Sequence, residues 1–229
     1  MLLITGAVGT PIHELSHAVM CIIFGHRIEE IRLYQPLSDD GSLGYVNHSF
    51  NRKNLYHRIG NFFIGVAPIL CGSGILFLLM ILMAPDAYDR VLQSFDAIPT
   101  MSISLVDSDT YIGFFKLMWS VVVSVFHYTN MSSFWWWIFI VFALMISNHM
   151  ELSFADVKGG LSGLGFLAGL VLIVDVIVGL VSKSALKVMT NAMTSFSLYI
   201  IGFLSVSLIF CGLMLLIAII IKGICAMFH

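Results

Sequence analysis

Residues 60–84 read GNFFIGVAPILCGSGILFLLMILMA: twenty-five residues with no Asp, Glu, Lys or Arg. A helix needs about 20 such residues to cross the hydrocarbon core of a bilayer. A barrel strand would instead show short segments of alternating polarity. Gly65, Gly72 and Gly74 are small residues of the kind that let helices pack closely in lipid, and Pro68 interrupts the run. The rest of the chain has the same character. Its 229 residues are 59% hydrophobic and 10% charged, against roughly 45–50% and about 25% in soluble domains. The expected fold is an all-α polytopic membrane protein with about six transmembrane helices and a small membrane-associated β-hairpin after the first helix.

Upstream, residues 1–25 form another apolar run. It has no basic leader and carries polar residues in its middle, so it reads as a mature segment rather than a signal peptide. Pro11 predicts either a kink or a fresh helix start, with Thr10 as N-cap. Residues 26–58 are polar. IEEIRLY (28–34) and SLGYVNHSF (42–50) read as strands, joined by the turn formers of QPLSDDG. Arg27, Arg32, Arg52, Lys53 and Arg58 make this the most basic segment, which predicts that it faces the cytoplasm.

Downstream, residues 85–115 read as a polar loop with five aspartates and one arginine. Residues 114–147 read as two helices turning at HYTNMSS (127–133), with Trp135–Trp137 near an interface. Residues 148–160 are polar, 161–182 a further span, the stretch up to 195 a loop, and 196–221 the last span. The whole is read as one integral membrane domain: 1–84 with the motif helix, hairpin and second span, 85–147 with the polar loop and helical hairpin, and 148–229 with the last two spans. The net charge of −2 and the absence of a basic tract give no footing for nucleic acid. Cys21, Cys71, Cys211 and Cys225 stand singly, so neither a disulfide framework nor a thiolate metal site is expected.

The chemistry sits in the first run. His13-Glu14-Leu15-Ser16-His17 is an HExxH sequence. On a helix, residues i and i+4 share a face, so both imidazoles can reach one metal ion. Zinc suits two imidazoles and keeps a position open for water, whose pKa it lowers to about 7. Glu14 is placed to take the proton as general base for attack on a peptide carbonyl. Each ionisable residue in such a run costs roughly 2.5–3.5 kcal/mol on insertion scales. Three together need a common reason, and a bound metal supplies one. A third ligand is required, and the residues leave Asp156, Asp175, Glu151 and His149 open. Asn61 and His48 are candidate substrate-positioning groups.

The chain resembles the site-2 protease family of intramembrane zinc metalloproteases. The matching stretches are His13–His17, the hairpin at 28–50, GVAP at 65–68 and ADVKGG at 155–160. The resemblance implies one Zn2+ per chain, held by His13, His17 and Asp156, with Glu14 as catalytic base. It also implies a membrane protein or peptide substrate within the lipid bilayer, the cytoplasmic membrane of a bacterium being the expected location. The family's Leu-Asp-Gly is Ala-Asp-Val here, which leaves Asp156 softer than the two histidines. The alternatives from other classes are a non-catalytic membrane protein with a structural metal site, and an ion or proton transporter using intramembrane His and Asp residues.

Overall fold

In the computed structural model, residues 2–38, 41–95 and 108–227 are described, with side chains over 4–224. Helix α1 (Leu2–Ile23) is followed by strands β1 (Arg27–Arg32) and β2 (Tyr45–Ser49). Then come helices α2 (Leu55–Met83), α3 (Pro85–Phe95), α4 (Ser108–Val125), α5 (Tyr128–Met131), α6 (Phe134–Ser147), α7 (Phe154–Val181) and α8 (Lys183–Met227).

The expected hairpin is present. β1 and β2 pair antiparallel, Arg27 opposite Ser49 and Arg32 opposite Tyr45, with an irregularity between Ile28 and Glu30. Asp39 and Asp40 of its turn lie outside the described residues. Pro11 neither breaks nor restarts α1, which is one helix from Leu2 to Ile23. Thr10 is therefore an interior helical residue rather than an N-cap.

Among the described residues, four helical stretches are long and apolar enough to cross a membrane: Leu55–Met83, Ser108–Met131, Phe154–Val181 and Lys183–Ile224. They are compatible with a membrane protein, and among the described residues the expected count of about six is not confirmed. The shortfall has two sources. α6 has 14 residues, about 21 Å of helix, against a hydrocarbon core of about 30 Å. In α1 the polar residues of the HExxH motif interrupt the apolar run. The expected loop at 85–115 begins with helix α3 instead, and its middle, 96–107, lies outside the described residues. The polar segments 154–160 and 183–195, expected as loops, are the first turns of α7 and α8. Polarity alone does not prevent a helix, because its backbone bonds are internal.

The chain forms two compact units. One contains the described residues up to Gly72 and His149–Thr194, and so holds α1, the hairpin, the first part of α2 and α7. The other contains Ser73–Asn148 and the chain from Ser195. In the second unit Leu76, Met80, Val121, Trp136, Phe139 and Phe210 are fully buried. Phe77 stacks on Phe203 at 4.8 Å, and the Trp136 indole donates to the Val125 carbonyl at 2.9 Å.

Candidate metal centre

The site lies in the first unit. His13 and His17, one turn apart on α1, turn their Nε2 atoms to each other at 3.1 Å. Both rings are fixed from behind. His13 Nδ1 donates to the His149 carbonyl at 2.7 Å, and His17 Nδ1 donates to the Ile64 carbonyl at 2.8 Å. With the protons on Nδ1, the facing Nε2 atoms each carry a lone pair. Two lone pairs at 3.1 Å repel unless a cation lies between them, and tetrahedral zinc places imidazole nitrogens about 3.3 Å apart. Nδ1–H to a backbone carbonyl is also the outer contact that orients metal-binding histidines.

Asp156 completes the cluster, its Oδ1 lying 3.3 Å from His17 Nε2 and its Oδ2 3.9 Å from His13 Nε2. The ligand atoms of His13, His17 and Asp156 all lie within 4.8 Å of one another. Two nitrogens and one carboxylate oxygen fit zinc.

Local sequence explains these placements. Ser153 is the N-cap of α7 and Asp156 its third residue, and they form a reciprocal capping box. Asp156 N–H donates to Ser153 Oγ at 3.1 Å, while Ser153 N–H donates to Asp156 Oδ2 at 2.8 Å. One carboxylate oxygen is thus held by the cap, and the other faces His17. The carbonyl that holds His17 belongs to Ile64, four residues before Pro68. Proline has no N–H, so it cannot claim that carbonyl within α2; the GVAP proline frees the acceptor that orients His17.

Glycines bring α7 this close. A Cβ on Gly65 would stand 2.6 Å from the Asp156 carbonyl oxygen and 2.8 Å from Gly160 Cα. A Cβ on Gly163 would collide with the backbone nitrogen of Phe62. Glu14 is buried, at 7% exposure. The chain just before β2 passes over it, since a Cβ on Gly44 would meet Glu14 Cγ at 2.9 Å.

The other candidates are placed differently. Asp175 lies nineteen residues further along the same unbroken helix as Asp156, about 28 Å away. Glu151 is exposed and outside the cluster. The His149 ring is engaged by Thr5 Oγ1 at 3.0 Å and Thr10 Oγ1 at 3.4 Å, and its backbone carbonyl serves His13. Burial first, then the neighbouring His13, keeps its pKa below the usual histidine value. Asn61 is buried on α2, three residues before Ile64. His48 on β2 lies close enough to sense the site: burial lowers its pKa most, His26 and His17 lower it further, and Asp156 opposes them. The sequence gives Cys21, standing singly, no expected metal role, and singles out nothing at His26. Both belong to a second metal-capable group with His48, signalled in sequence only by a cysteine four residues before a Gly-His pair.

Residues 6–109 match the family model DUF3267, described as "Putative zincin peptidase". The match takes in the HExxH motif, the hairpin and α2, and supports a zinc-metallopeptidase-like family with zinc-dependent peptidase activity. It does not single out the site-2 protease family, and Asp156 lies beyond it. No curated protein and no solved structure matches the chain.

Proposed function

We propose that this chain is a zinc-dependent intramembrane endopeptidase that hydrolyses peptide bonds of membrane-associated proteins or peptides. The observation that carries this reading is the pair of Nε2 atoms facing each other at 3.1 Å, each ring anchored through Nδ1 to a backbone carbonyl. His13, His17 and Asp156 would hold one zinc ion, leaving a fourth position open as catalytic sites do. Bound there, zinc would polarise a peptide carbonyl and acidify a water molecule.

The protein's own groups do the rest. Glu14 follows His13 in sequence, and its carboxylate takes a proton from the attacking water and passes it to the leaving nitrogen. Burial of Glu14 beneath the segment at Gly44 keeps bulk water from competing for that proton. The hairpin offers a two-stranded sheet whose outer edges can accept an extended peptide as an added strand. A substrate unwound in this way exposes the carbonyls that a helix would hide. The apolar helices support a bilayer setting, with segment 26–58 toward the cytoplasm of a bacterium.

The test uses the full chain reconstituted in liposomes with a panel of labelled single-span peptides. Wild type is expected to cut at least one of them, and Glu14→Gln none, with zinc content unchanged. Turnover by Glu14→Gln would remove Glu14 from the mechanism. Cleavage of soluble peptides alone would refute the intramembrane reading.

A further inference from the structure

Cys21, His26 and His48 bring their ligand atoms within 4.8 Å of one another, apart from the HExxH cluster. Cys21 follows His17 by four residues on the same face of α1 and is fully buried, with 0% exposure. The end of α1 delivers His26 to it. Gly25 adopts φ 70°, its N–H bonds to the Ile22 carbonyl at 3.2 Å, and the His26 N–H bonds to the Cys21 carbonyl at 2.8 Å. This is a Schellman termination, which folds the chain back so that residue 26 lies against residue 21. Two apolar side chains commonly meet at these positions; here they are a thiol and an imidazole. Strand pairing supplies the third group, His48 lying opposite Ile28.

The proton positions favour ligation. His26 Nε2 donates to the His57 carbonyl at 2.9 Å, which leaves a lone pair on Nδ1. That atom faces His48 Nδ1 at 3.1 Å, close to the roughly 3.3 Å between nitrogens on tetrahedral zinc.

We propose that Cys21, His26 and His48 form a second divalent-metal site, zinc-class by its one sulfur and two nitrogens, that fastens β2 to the end of α1. Binding releases the Cys21 thiol proton to solvent, and the thiolate becomes a ligand. The site's role is positional. β2 follows directly on Gly44, the residue packed over Glu14, so fastening this strand holds the cover of the active carboxylate in place.

The experiment is metal analysis of the purified full chain in mild detergent after loading with zinc, and its absorption spectrum after loading with cobalt(II). Two ions per chain are expected, with a thiolate-to-cobalt charge-transfer band. The HExxH cluster offers only nitrogen and oxygen, so it contributes no such band. Cys21→Ala and His26→Ala should each leave one ion and abolish the band, whereas Cys71→Ala should change neither. The double variant His13→Ala/His17→Ala should lose one ion and keep the band. This separates failure of the second site from failure of the peptidase reading. No band in wild type would overturn the proposal, leaving His26 and His48 joined by an ordinary hydrogen bond. So would a band that survives Cys21→Ala.

Discussion

Gly65→Ala should weaken metal binding without touching a ligand. The added Cβ would lie 2.6 Å from the Asp156 carbonyl oxygen, 2.8 Å from Gly160 Cα and 2.9 Å from Gly160 N, where ordinary contact begins at 3.4 Å. All three neighbours are backbone, so no rotamer change relieves the clash, and the first turn of α7 must retreat by about 0.8 Å. Metal–ligand distances tolerate only about 0.2 Å, so Asp156 leaves its place. Overpacking of this kind costs about 1–3 kcal/mol. If that cost falls on the bound state, zinc affinity drops roughly 5- to 140-fold, at 1.4 kcal/mol per tenfold. The assay is chelator competition for zinc in detergent, with a melting curve to show that the variant folds. Gly159→Ala is the control, because a Cβ there meets nothing within 4 Å, and it should bind as wild type. Wild-type affinity in folded Gly65→Ala would refute the claim that close α2–α7 packing sets the position of Asp156.

Asp156→Ala should lower zinc affinity severely, while Asp175→Ala, about 28 Å along the helix, should leave it unchanged; competition titrations on both variants check the assignment. Pro68→Ala restores an N–H that competes with His17 for the Ile64 carbonyl. Its expected effect is a loss of affinity of about 10-fold, the lower end for contacts that orient ligands, and unchanged affinity would remove the proline from the site. Ser153→Ala removes a helix cap worth about 1 kcal/mol by deleting the Oγ that accepts from the Asp156 N–H, and leaves the bond from Ser153 N–H to Asp156 Oδ2 as the one remaining hold of the capping box. It should lower the melting temperature and blunt zinc affinity together; a change in stability alone would show that the cap does not position Asp156.

Much of the fold is legible in the chain because its signals are local. The long apolar runs predict helices whatever they pack against, and the strands and turn formers of 28–50 predict the hairpin that is found. The span count is less legible. It turns on the length of α6 and on the polar residues within α1, while the bounds of the last two spans depend on whether polar ends such as 154–160 and 183–195 are loop or helix, which their polarity does not decide. Pro11 shows the same limit: its cost is local, yet α1 runs through it.

For the site, HExxH fixes by helical period alone that His13 and His17 share a face, with Glu14 beside them. It does not fix what stands behind those rings or across from them. Asp156 lies in a polar stretch and Asp175 within an apolar run, and neither setting by itself selects the ligand. Close packing at Gly65 and Gly160 separates them, because it sets one end of α7 against α2, where Asp156 reaches His17, and leaves the other far along the helix. Likewise, the pairing of Cys21 with His26 needs the left-handed turn at Gly25, and His48 joins them only through strand register. Sequence determined the residues whose neighbours are one helical turn away. Tertiary structure alone decided the partners far along the chain, because their distances are set by backbone approach, and that depends on which side chains are absent at the crossings.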